Sequence, residues 1–95
     1  MVANPEQVDA WNGIEGQGWA ADADRFDAAV VRHHTRLLEG ASIARSEQVL
    51  DIGCGCGQST LDAARAASAG SATGVDVSLP MLEVARARAE RLGIA

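Results

Sequence analysis

The sequence predicts an α/β fold in which parallel strands are joined through helices. Three observations predict it. Val49-Leu50-Asp51-Ile52 is a short β-forming run that leads into glycines at alternate positions, Gly53, Gly55 and Gly57. The segment after it, residues 58–69, is Ala-rich and helical in pattern. Ala72-Thr73-Gly74-Val75-Asp76-Val77 then gives a second strand, and Ser78-Leu79-Pro80 opens a further helix. Strand, glycine turn, helix, strand is the order of a βαβ unit.

The elements follow in turn. Residues 1–18 are polar and carry Pro5, Gly13, Gly16 and Gly18, which predicts an irregular arm with a short helical turn. Asp22 is an N-cap for a helix to about Glu39, with Gly40 as the stop. Phe26, Val30, His33 and Leu37 recur at helical spacing and define its face. Residues 41–47 connect to the first strand, residues 48–52, which is apolar enough to be buried on both faces. The next helix, residues 58–69, ends at Gly70 and turns Leu61, Ala64 and Ser68 inward. After the second strand, residues 72–77, Ser78 is an N-cap and Pro80 fits the first turn. That helix runs to about Leu92, with Gly93 just past its end. The chain divides into an arm, 1–21, and a body, 22–95.

Composition narrows the functional classes. Apolar residues are 47%, enough for a core, but the only aromatics are Trp11, Trp19 and Phe26, so that core is aliphatic and alanine-rich. The formal charge is −5, which argues against nucleic acid and anionic membranes as partners. No window has the roughly 18 apolar residues of a membrane helix, and the first nine residues lack a signal peptide's basic and apolar regions. A cytoplasmic location is expected. Cys54 and Cys56 are too close to form a zinc site alone, and a disulfide between them would strain the turn, so no metal site is expected. His33 and His34, adjacent on a helix, point in different directions; one is expected to pack and the other to face solvent.

The glycine loop carries the functional reading. Glycines let backbone approach a ligand, and the helix start offers free N–H groups. A dinucleotide loop wants Gly-x-Gly-x-x-Gly. The sixth position from Gly53 is Gln58, and from Gly55 it is Thr60, so both frames fail. The spacing is Gly-x-Gly-x-Gly with Asp51 two before the first glycine. Asp76, 25 residues after Asp51, stands at the tip of the second strand, where an acid in doubly wound folds accepts hydrogen bonds from ribose hydroxyls.

These residues, from Val49 to Arg88, resemble the first cofactor half of a class I S-adenosylmethionine-dependent methyltransferase, in the broad group that includes quinone-biosynthesis methyltransferases. Trp11-Asn12-Gly13, Gly16 and Trp19-Ala20 extend the likeness, since many members carry an aromatic-rich N-terminal lid. The resemblance implies a Rossmann-like class I methyltransferase fold, here only its N-terminal α-β-α-β-α portion, because complete members are larger. It implies S-adenosylmethionine held by Asp51, Gly53, Cys54, Gly55, Gly57, Asp76, Val77 and Met81. The acid matching Asp51 lies beneath the methionine moiety in that pattern; the alternative is that Asp51 is only a strand-end residue capping backbone amides. Trp11 and Trp19 could cover the ligand or anchor the arm.

The implied activity is methyl transfer to a small-molecule acceptor, catalysed largely by positioning. No residue stands out as a base. The alternatives are a non-catalytic interaction module and, with the wrong glycine spacing, a nicotinamide-binding domain. Two strands make a marginal sheet with bare edges, so completion by self-association, by a remainder of the protein or by a partner chain is expected.

Overall fold

The computed structural model describes residues 3–94; Met1 and Val2 of the arm and Ala95 at the end of the body lie outside the described residues. The order is α1 (Pro5–Asn12), α2 (Ile14–Ala21), α3 (Ala23–Ala29), α4 (Val31–Ala41), β1 (Gln48–Ile52), α5 (Gln58–Ala66), β2 (Ser71–Val75) and α6 (Leu79–Leu92). β1 and β2 pair in parallel, with Gln48 opposite Ser71 and Ile52 opposite Val75. Parallel neighbours joined through α5 form the expected βαβ unit.

The arm is not irregular. Pro5 starts α1, where its missing N–H has no intrahelical partner anyway. Gly13 breaks the chain at φ −99°, ψ −141°, and α2 starts again at once. Gly16 and Gly18 each disfavour a helix by roughly 1 kcal/mol relative to alanine. Packing outweighs propensity here: α1 and α2 lie against α6, and Gly16 is buried at the crossing. A Cβ on Gly16 would stand 1.8 Å from the Trp11 carbonyl oxygen.

The helix expected over residues 22–39 is two helices. The chain departs from helical geometry at Val30 (φ −112°, ψ 14°), and α4 continues through Gly40 to Ala41, with Ser42 left-handed at its end. The break shifts the buried face. Val30, His33 and Leu37 are exposed, while His34 and Leu38 are the half-buried pair that turns toward α5. His33 in solvent and His34 packed is the division expected for adjacent helical residues.

β1 has the expected bounds, and β2 starts one residue early and stops two early, because Asp76 leaves the ladder to bond elsewhere. Neither strand is buried on both faces. Val49, Asp51, Ala72 and Gly74 face the helices, whereas Leu50 is 61% and Ile52 79% exposed. Thr60, Leu61 and Ala64 of α5 and Leu82, Ala85 and Ala89 of α6 line one cavity together with Ala72 and Gly74, so both helices lie on the same face of the sheet. Ser68 is outside α5 and exposed; Ala63 and Ala67 are buried in its place, with Leu61. α6 is capped as expected. The Ser78 hydroxyl accepts from the Met81 N–H, and Gly93 (φ 69°) donates to the last carbonyls.

Candidate functional site

Gly53, Gly55 and Gly57 all have positive φ (75°, 54° and 89°), which side chains rarely tolerate in succession. The loop is fastened to the end of β2. The N–H groups of Gly53 and Cys54 both donate to the Val75 carbonyl, at 2.8 and 3.0 Å. Gly55 N–H donates to Asp76 Oδ2 at 2.8 Å, and Ser78 N–H donates to Oδ1 at 2.8 Å. The carboxylate therefore turns toward the loop. Each oxygen has a further lone pair free for a hydroxyl.

Beside this carboxylate lies an open cleft of about 660 Å³, lined by Trp11, Trp19, Gly53, Gly55, Asp76 and Met81, with Ile52, Val75 and Val77 completing its wall. Of the residues expected at a cofactor, it brings together Gly53, Gly55, Asp76, Val77 and Met81. A Cβ on Gly53 would meet nothing within 4 Å, so its space opens to the cleft, whereas one on Gly55 would stand 2.9 Å from Met81 Cε.

Asp51, Cys54 and Gly57 lie elsewhere. Asp51 accepts from the Thr60 hydroxyl at 2.7 Å, tying β1 to the first turn of α5. Cys54 packs over Gly74, where a Cβ would come within 2.8 Å of its sulfur. Gly57 lets the loop approach α6; its Cβ would be 2.8 Å from the Ala85 methyl. Burial pushes the Cys54 thiol above its ordinary pKa, and the charges of Asp76 and Asp51 push it further. Burial also raises Cys56, with Arg88 opposing and Asp27 and Asp76 adding to the rise. Both thiols stay protonated near neutral pH and are not nucleophiles.

The arm is anchored, and its tryptophans line the cleft. The Ser78 hydroxyl, fully buried, donates to the Trp11 carbonyl. Asn12 Nδ2 donates to the Val77 carbonyl at 2.8 Å, and its Oδ1 accepts from Leu79 N–H at 2.9 Å. Trp19 packs on Phe26 with ring centroids 4.0 Å apart. Sequence reasoning gave Asn12 no task; its only signal is an amide beside a glycine break.

Arg88 was also missed. It is 5% exposed on α6, donates to the Cys56 carbonyl at 3.1 Å, and reaches Asp24 and Asp27 at 2.7 Å each. Asp27 meets it as a salt bridge rather than an aligned hydrogen bond. Burial alone would lower the guanidinium pKa, but the two carboxylates outweigh it and hold it above its ordinary value. Asp24 and Asp27 thus tie α3 to the loop through Arg88. Among the described residues no cluster of His, Cys, Asp and Glu could hold a metal ion, and no helix is long and apolar enough to cross a membrane.

Comparison with known proteins gives one finding. Residues 49–95 match a family model described as Methyltransferase domain, a stretch that begins in β1 and takes in the loop, α5, β2 and α6. No curated protein and no solved structure matches the chain. Over residues 49–95, the stretch that holds the glycine loop and the Asp76 carboxylate turned onto it, the chain is thus similar to a methyltransferase domain.

Proposed function

We propose that the chain binds S-adenosylmethionine in the cleft between the arm and the glycine loop, as the cofactor-binding half of an enzyme that methylates a small molecule. The observation that carries this reading is the Asp76 carboxylate, held by Gly55 and Ser78 N–H groups at the cleft wall. The residues present fit the cofactor. A carboxylate with spare lone pairs suits a ribose diol, Val77 and Met81 offer apolar surface to a base, and the space at Gly53 admits close approach of a ligand.

Bound there, the cofactor supplies an electrophilic methyl whose transfer leaves a neutral thioether, so the chain need provide no acid. The loop fixes the position of Asp76, and Asp76 fixes the loop in return. Trp11 and Trp19 line one side of the cleft. Their place on the arm also supports the finer assignment to the group that includes quinone-biosynthesis methyltransferases.

Calorimetric titration with S-adenosylmethionine and with NAD tests the reading. Binding of the first and not the second is expected. Hydrogen bonds to a charged group contribute roughly 1.5–3 kcal/mol each, so Asp76→Ala should weaken binding about tenfold or more. Equal affinity in that variant, or preference for NAD, refutes the assignment.

A further inference from the structure

A second cavity, of about 670 Å³, shares the loop with the first: Gly53 and Gly55 face one, Cys54, Cys56 and Gly57 the other. Most of its wall is apolar, with Val30, Val31 and Leu38 from the break and from α4. One end is polar. There His34 Nε2 bonds Asp62 Oδ2, and His34 Nδ1 lies 3.3 Å from the Ser59 hydroxyl. The histidine and aspartate side chains are 14% and 18% exposed.

The chemistry fixes the tautomer. An ionised carboxylate only accepts, so Nε2 carries the ring proton toward Asp62. Nδ1 is then the basic nitrogen, and the Ser59 hydroxyl donates to it. Asp62 is itself held: Gln58 Nε2 donates to it at 3.1 Å, and Arg65 Nη1 lies at 3.5 Å. A base oriented by a fixed carboxylate, with its free nitrogen aimed at a hydroxyl in a cavity, has the geometry of general base catalysis. The other titratable groups facing this cavity are Asp27, Cys54, Cys56 and Arg65. The two thiols stay protonated near neutral pH, a guanidinium has no acceptor, and Asp27 is paired with Arg88, so none of them competes as a base.

We propose that the second cavity binds a small and largely apolar molecule bearing a weakly acidic hydroxyl, and that His34 takes the proton from that hydroxyl. The O–H bond breaks, the oxygen keeps the electron pair, and the proton passes to Nδ1, either directly or through Ser59, which gives up its own proton as it takes the other. Asp62 stabilises the imidazolium that forms. Apolar walls with one basic end select such a molecule over a charged one. This proton transfer is independent of the cofactor reading above.

4-Nitrophenol is the probe, because its ionised form is coloured and no cofactor is needed to see it. In buffer slightly more acidic than the phenol's own pKa, the full chain should raise the phenolate fraction about twofold or more. His34→Gln should abolish the rise, Asp62→Asn should reduce it, and His33→Gln at the exposed neighbour should leave it intact. No rise with the unaltered chain, or a rise that persists in His34→Gln, overturns the proposal. Should His34→Gln fail to fold, the ¹⁵N shifts of His34 in the unaltered chain decide: Nδ1 must change from acceptor to protonated nitrogen as probe is added, and an unchanged Nδ1 overturns it equally. Failure of S-adenosylmethionine to bind would refute the cofactor reading alone.

Discussion

Gly16→Ala is expected to undock the arm, whereas Gly18→Ala, two residues on, should not. At Gly16 the new methyl would stand 1.8 Å from the Trp11 carbonyl oxygen and 2.7 Å from Ser78 Oγ. The first obstacle is backbone, so no rotamer change relieves it. One helix must retreat by about 1.2 Å before even a tight contact distance is reached, and overpacking of this kind typically costs about 1–3 kcal/mol. The retreat also pulls on the bonds that anchor the arm: Ser78 to the Trp11 carbonyl, and Asn12 to Val77 and Leu79. Each contributes about 0.5–1.5 kcal/mol net, so a loss of about 2–4 kcal/mol in the docking of α1 and α2 is expected. At Gly18 nothing lies within 4 Å of the added Cβ. There the substitution should stabilise by about 0.4–1 kcal/mol through the unfolded chain. The assay is urea unfolding followed by tryptophan fluorescence, since both tryptophans of the sequence, Trp11 and Trp19, sit on the arm. Gly16→Ala should show a separate, earlier arm transition and a red-shifted native spectrum. Gly16→Ala as mild as Gly18→Ala would refute the reasoning.

Two other outcomes follow from the same geometry. The Cys54 and Cys56 thiols are raised in the fold, so above their ordinary value of 9.0 the unfolded chain releases protons that the folded chain keeps; stability should be full below that pH and fall as pH rises through the folded pKa values, and the Cys54→Ser/Cys56→Ser variant should flatten the decline in unfolding titrations from about pH 8 to about pH 10.5. Leu50, Ile52, Val75 and Val77 are all exposed on the sheet and its end, so sedimentation of the chain alone should show self-association; a monomer that melts cooperatively contradicts this.

The parts of the fold legible in the sequence are those fixed by local rules. β1 could be placed because its apolar run ends in a glycine turn. The start of α6 could be placed because Ser78 and Pro80 are both first-turn residues. Asp76 could be singled out because it stands at the end of the strand that follows such a loop. The arm was illegible for the opposite reason. Its glycines read as breakers, and only the close approach of the Trp11 carbonyl and of Ser78, the latter distant in sequence, makes Gly16 a packing residue. Arg88 with Asp24 and Asp27 spans more than sixty positions, and His34 with Asp62 spans 28, so no local periodicity could join them. The break at Val30 then rotated the helix face away from the phase that Phe26 predicts, exchanging His33 and Leu37 for His34 and Leu38.

That rotation links the fold to its chemistry. An unbroken helix in phase with Phe26 would keep His33 on the packed side, and Asp62 would have no imidazole opposite it. The break instead turns His34 toward the first turn of α5, the same turn that carries Ser59 and that Thr60 ties to Asp51. The opposite end of the loop is held by Asp76 and by Arg88 through the Cys56 carbonyl. Five loop residues are thereby gripped from both strands and from α5 and α6, while their outward surfaces face two cavities. The bare side of the sheet has no such grip, and its exposed leucine, isoleucine and valines lie on the face that α5 and α6 leave uncovered. Rigidity is concentrated where the ligand readings need it, and of the bare apolar surface Ile52, Val75 and Val77 wall the cleft while Leu50 lies outside it.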